Sequence, residues 1–232
     1  MESRRRCGKT SVMRRIPGEI IPSNNFIHPF TAIISGSSGV GKTSFVTELI
    51  RSNRVSNIKQ FSAVYYYYPT ELDYAPVDWA DEFETLEVCY HNDEPNAAFF
   101  ANVKKDSLLV YDDDYYNLSS YSSFANAFRV FARKYQFSII AINQTYFEGQ
   151  RHARSIRNNC DVHVLFNNYG DASINLRVAR SLGYTKQFKE AQKEAYDQNH
   201  GHVLLFTGPK VSNNKLRVQI NFFDERKNYC FY

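Results

Sequence analysis

The stretch GSSGVGKTSF, residues 36–45, satisfies the spacing G-x-x-x-x-G-K-[ST] from Gly36 to Thr43. A β-branched, apolar run, FTAIIS at residues 30–35, leads into it, and KTSFVTELIRS at residues 42–52 leaves it with Val46, Leu49 and Ile50 on one helical face. Strand, glycine loop and helix in that order are the context in which the spacing means phosphate binding. The glycines let the backbone wrap phosphates with its N–H groups, at the positive end of the helix. The reading assigns Gly36, Ser37, Ser38, Gly39, Val40, Gly41, Lys42, Thr43 and Ser44 to a nucleotide; Lys42 reaches the β and γ phosphates and Thr43 ligates Mg2+.

Outward from the loop, strands and helices alternate. FSAVYYYYP (61–69), TLEVCYH (85–91), SLLVYDDD (107–114), FSIIAINQ (137–144) and DVHVLF (161–166) read as strands, and strand propensity explains the four consecutive tyrosines. Tyr121, Phe124, Phe128, Phe131 and Tyr135 recur at spacings of three and four, which predicts an amphipathic helix with Arg129, Arg133 and Lys134 on other faces. Helical segments around SINLRVARSLG and KQFKEAQKEAYDQ follow, and HVLLFTG and LRVQINFF close the chain as a strand pair separated by GPKVSNN. Near-continuous apolar strands alternating with helices predict a three-layer α/β P-loop NTPase fold, its mainly parallel central sheet covered by helices on both faces.

Open α/β sheets collect ligands at the carboxyl ends of their strands. There LLVY hands over Asp112, placed to be the metal-side carboxylate that a phosphate loop requires. Asp113 is the better placed to polarise an attacking water, since Asp112 is committed to the metal, and Asp114 reads as a helix cap or turn residue. An acid at 113 favours hydrolysis over transfer to a substrate hydroxyl. FSIIAI delivers Asn143 and Gln144 to the same edge, where an amide can hold the lytic water, touch the γ phosphate, or simply end the strand. Next comes an Arg-rich loop with Arg151, Arg154 and Arg157; in ring-forming hydrolases an arginine from a neighbouring subunit stabilises charge on the γ phosphate, and spacing alone does not choose among the three.

Composition sets the bounds. The 232 residues, 43% hydrophobic and 16% aromatic, suit one large domain with a sizeable core. Arg4, Arg5, Arg6, Lys9, Arg14 and Arg15 face one acid, Glu2, within the first 15 residues, so the net charge of +4 belongs to an arm while the rest of the chain is near neutral. Such an arm contacts nucleic acid, carries a nuclear signal or is merely solvated. The reading divides the chain into this basic arm, 1–27, and an ATPase domain, 28–232. The four cysteines lack C-x-x-C pairing and fit a reducing intracellular compartment. No apolar run approaches the length of a membrane span, and no apolar signal core follows the basic start.

SIIAINQTYF followed by RSIRNNCDVHVLFNN, behind the GSSGVGKT loop and the LLVYDDD strand, resembles the FtsK/HerA superfamily of DNA-pumping ATPases. Within it the motif order is similar to that of the poxvirus-type genome-packaging ATPases of large DNA viruses and of Polinton and adintovirus-like elements. The resemblance implies a RecA-like core, a homo-oligomeric ring of six subunits, and ATP hydrolysis with Mg2+ coupled to sequence-independent movement of double-stranded DNA. A capsid or portal protein is an implied partner, and the implied location is an infected host cell, in its nucleus or viral factory, or the virion. Residue by residue it puts Gly36 to Thr43 on the phosphates, Asp112 on the metal, Asp113 as the water-activating acid and Gln144 as the γ-phosphate sensor; it fixes no arginine, and Arg157, within I-R-N-N, is preferred here to Arg154. The superfamily's second acid is often Glu, one methylene longer than Asp113. The rival readings are a nucleotide or nucleoside kinase, which also needs an acceptor pocket and an Arg-bearing lid, and a nucleotide-dependent assembly switch.

Overall fold

β2 (Thr31–Ser35) is buried along its whole length and lies inside the sheet with a strand on each side. The computed structural model describes residues 25–69, 77–92, 94–211, 216–224 and 229–231; most of the basic arm and part of the GPKVSNN segment lie outside the described residues. In chain order the elements are β1 (Phe26–Ile27), β2, α1 (Lys42–Ser52), β3 (Val55–Ser56), β4 (Ala63–Tyr67), α2 (Trp79–Glu82), β5 (Glu87–His91), α3 (Ala97–Asn102) and β6 (Leu108–Tyr111). They continue with α4 (Tyr115–Leu118), α5 (Ser122–Asn126), a π-helical turn (Ala127–Phe131), α6 (Ala132–Tyr135), β7 (Ser138–Asn143), α7 (Ala153–Asn158) and β8 (Val162–Phe166). The last are α8 (Ser173–Ser181), α9 (Thr185–Ala195), β9 (His202–Phe206), β10 (Val218–Ile220) and β11 (Tyr229–Phe231).

The nine-stranded sheet has the order β11-β10-β9-β8-β2-β7-β6-β4-β5. β8, β2, β7, β6, β4 and β5 are parallel, and β9, β10 and β11 extend the sheet antiparallel. Strands covered on both faces alternate between two cores. Ala32, Ile34, Leu108, Val110, Ile140 and Ile142 pack toward α1, while Ile33, Leu109, Tyr111, Ile139 and Ala141 pack toward the opposite layer with α7 and α8. This is the three-layer P-loop NTPase architecture that the apolar runs predict.

Four local features differ from the sequence reading. The aromatic helix is interrupted at Ala127–Phe131 by a π turn, so Phe124, Phe128 and Ala132 are buried at a spacing of four while Phe131 and Tyr135 are partly exposed. The arginine-rich loop contains a helical turn and a half, α7, whose Ala153 and Ile156 anchor it to the core. Phe26, within the stretch read as arm, is 0% exposed, and β1 pairs with β3. β11, which the sequence reading passes over, pairs with β10.

Candidate functional site

The phosphate loop takes its shape from two close approaches. A Cβ at Gly36 would come 2.6 Å from the Cβ of Phe166 at the end of β8. Gly41, the N-cap of α1, has φ +97°, and a Cβ there would come 2.6 Å from His200 Nδ1. The first turn of α1 carries no acidic residue, which leaves the positive end of the helix to an anion. Lys42 is buried, and its Nζ donates to the carbonyls of Gly36 at 3.0 Å and Ser37 at 2.9 Å. Burial pulls its ammonium below the ordinary value, opposed by Asp113 and Asp112.

Strand register carries the acids to the same place. Tyr111 pairs with Ala141 and Ser35 with Asn143, so Asp113, two residues beyond Tyr111, stands level with the end of β7 and of β2. Thr43 Oγ1 donates to Asp112 Oδ2 at 3.1 Å, and the Tyr66 hydroxyl donates to the same oxygen at 2.6 Å. Burial pushes the Asp112 carboxyl up, and the Tyr66 bond works against that. Asp113 is exposed with φ +58°, a left-handed backbone that Asp and Asn adopt more readily than other residues with a Cβ. Gln144 Nε2 donates to both Asp113 oxygens, at 3.2 and 3.3 Å.

The two residues beside this pair are occupied locally. Asn143 closes a turn, its Nδ2 donating to Thr145 O at 2.6 Å and its Oδ1 accepting from Thr145 N, so between the two amides Gln144 is the one directed to the acids. Asp114 stands at the N-cap position of α4 and accepts from the Tyr67 hydroxyl and Asn117 Nδ2. A cavity of about 350 Å³ runs along the loop, with Lys42, Thr43, Asp112, Asp113, Tyr68 and His200 among its lining.

The arginines stand apart from this network. Arg157 Nη1 donates to Tyr146 O at 3.4 Å, and its guanidinium lies 5.9 Å from the Tyr146 ring centroid and 5.7 Å from that of Phe147. Arg177 stacks on the same Phe147 at 5.1 Å. Tyr146 in turn is hydrogen-bonded to the buried His163 Nδ1 at 2.8 Å. Arg151 Nε donates to Ser120 O, while Arg154 is exposed and has no hydrogen-bond or ion-pair partner among the described residues.

Two site residues escape the sequence reading. Tyr66 lies inside the tyrosine run, and the pairing of β4 with β6 is what brings its hydroxyl to Asp112. His200 lies 160 residues from Val40, to whose carbonyl its Nδ1–H donates at 3.0 Å. Neither has a sequence signal short of the fold itself.

No protein-family model matches the sequence, and no curated protein matches it in a sequence search. Among solved structures the chain is similar to the genome packaging NTPase B204 from Sulfolobus turreted icosahedral virus 2 in complex with ATP-gammaS, with TM-score 0.54 and 11% identity over 83% of this chain and 96% of that one. It is similar also to B204, the DNA-packaging ATPase from Sulfolobus turreted icosahedral virus, with TM-score 0.54 and 14% identity over 83% of this chain and 97% of that one. The likeness is one of fold, and it spans nearly the whole of both B204 chains.

Proposed function

We propose that this chain is an ATP-hydrolysing motor of the FtsK/HerA type that moves double-stranded DNA, and that the DNA is a viral genome entering a capsid. The observation that carries the reading is the pair of contacts beside the phosphate loop, Thr43 with Asp112 and Gln144 with Asp113, which join a helix start and two strand ends in one site. The fold likeness to two proteins named for genome packaging supports it.

Each residue has a role that its position allows. Lys42 exchanges two neutral carbonyl acceptors for charged phosphate oxygens, which form stronger bonds with an ammonium. Thr43 Oγ1 and Asp112 Oδ2, 3.1 Å apart, are the hard oxygen donors that Mg2+ takes, and these two would hold the ion, which supplies neutralisation of phosphate charge. Tyr66 fixes the rotamer of Asp112. Asp113 accepts the proton of the attacking water, and Gln144 positions that water or reports the γ phosphate.

In a homohexameric ring, α7 supplies the arginine that reaches a neighbour's nucleotide. Arg157, within I-R-N-N, is the preferred residue; Arg154, one turn earlier on the same helix, is the more exposed. Loss of γ-phosphate contacts on hydrolysis shifts one subunit against the next and moves basic elements along the DNA backbone. Arg129, Arg133, Lys134 and the basic residues of the arm, Arg4 to Arg15, are the gripping groups, indifferent to base sequence. The partners are duplex DNA and a capsid or portal protein, within an infected cell or the virion. No helix among the described residues is long and apolar enough to cross a membrane.

Phosphate release in the presence of duplexes of unrelated sequence tests the reading. DNA should stimulate release from ATP with Mg2+, with no phosphorylated nucleoside formed. A phosphorylated nucleoside product would make the protein a kinase. Nucleotide-dependent oligomers whose phosphate release is untouched by Asp113→Asn would make it an assembly switch.

A further inference from the structure

A second cavity, of about 120 Å³, lies on the β8 side of the phosphate loop. Ser38, Gly39 and His200 line both it and the phosphate-side cavity, so the two adjoin at the tip of the loop. The two differ in charge. Lys42, Asp112 and Asp113 line the first; no Lys, Arg, Asp or Glu lines the second, whose walls include Asn167, Tyr169, Tyr196 and Asn199. An uncharged cavity of amides and aromatic rings suits a flat neutral heterocycle better than an anion.

We infer that this cavity is the subsite for the purine base of the nucleotide, with Tyr169 as the ring on which the base stacks and the amides of Asn167 and Asn199 as the groups that read its edge. The inference rests on the reading that the phosphate loop binds a nucleoside triphosphate. Tyr169 is 78% exposed, the most exposed of the large hydrophobic side chains among the described residues. Its backbone is nonetheless pinned to the loop: Tyr169 N donates to Ser37 Oγ at 2.9 Å, and Ser37 N donates to Asn167 O at 3.4 Å. A bare ring on a backbone held to the loop is available for stacking.

The amides divide in the same way. Asn168 caps the turn that follows β8 by accepting from Gly170 N and Asp171 N, Asn175 holds Phe166 O, and Gln198 donates to Glu194 O. The side chains of Asn167 and Asn199 make no hydrogen bond among the described residues, leaving each a donor and an acceptor for a base edge. His200 forms the wall between the cavities. Its φ of +55° turns the ring over Gly41, and its Nδ1–H bond to Val40 O fixes that position.

Calorimetric titration of the full chain with Mg2+ and either ATP or inorganic tripolyphosphate tests the inference. Tyr169→Ala should weaken ATP binding on the order of tenfold, the usual effect of losing one stacking platform, and leave tripolyphosphate affinity unchanged. Tyr169→Phe should bind ATP as the parent does, and Asn199→Ala should weaken ATP binding while leaving tripolyphosphate unchanged. Equal losses for ATP and tripolyphosphate in Tyr169→Ala would show that the residue only props the loop, and unchanged ATP affinity would put the base elsewhere; either overturns the subsite. If the parent protein binds neither ATP nor tripolyphosphate, the nucleotide reading itself fails, which no variant is needed to show.

Discussion

Two groups of polar residues follow β7, and they are held in different ways. Gln144 comes directly after the strand, and its amide bonds Asp113, the second residue after β6. Arg157 comes 13 residues later, on a short helix, and rests on two aromatic rings of its own segment, which is tied to the core through Tyr146 and His163. Side chains that leave a buried strand inherit their position from backbone pairing. Those on α7 inherit it from local packing, so the first group is predictable and the second is not.

Substitutions can break the comparison at several strengths. Lys42→Ala should give the largest effect, a loss of ATP turnover of roughly 10³-fold or more with unchanged circular dichroism, since the fold gives up just two bonds to loop carbonyls. Retained turnover would sever the loop from the activity. Asp113→Asn should lower turnover by about 10²–10³-fold while nucleotide still binds, because the amide keeps the left-handed backbone and loses the proton acceptor. Equal loss of binding and turnover would mean that Asp113 holds the site together instead.

Acid should act on the other group. Burial, and then Arg157, lower His163 from 6.5 to about 3, so its imidazole stays neutral in the folded chain while the unfolded chain takes up a proton below pH 6.5. Its contribution is fully present above pH 6.5 and is lost at about 1.4 kcal/mol per pH unit as the pH falls toward 3. Urea unfolding at pH 7.0, 5.5 and 4.5 should therefore be less steep in pH for His163→Gln than for the parent, and identical slopes would refute the burial argument. Arg157→Ala should have the smallest effect on stability, about 1 kcal/mol for the lost stacking on Tyr146 and Phe147, read as a small fall in melting temperature. A loss of turnover far beyond that of Arg154→Ala, at equal stability, would move Arg157 into the neighbour's site.

The sequence exposes most of the frame. α1 begins and ends where KTSFVTELIRS does, and the central parallel strands coincide with the apolar runs, because burial on both faces favours apolar residues along a strand. The positions of Asp112, Asp113 and Gln144 at the sheet edge were legible for the same reason, all three falling within two residues of the end of such a run. The π turn was hidden because a period of four within an aromatic helix differs little from one of 3.6 over a few residues. Tyr66 and His200 were hidden because their partners, Asp112 and Val40, lie 46 and 160 residues away.

The left-handed turn at residue 113 also bears on which acid can stand there. Aspartate tolerates that conformation better than glutamate, because its short side chain bonds its own backbone neighbourhood while a longer one pays the ordinary steric penalty of about 1 kcal/mol or more. The glutamate common at this place in the superfamily that the sequence resembles would thus be an unfavourable replacement here. The chain does carry one side chain of glutamate's length in the same conformation, Gln136 at φ +59°, so Asp113→Glu should keep the turn and lose stability by about that amount.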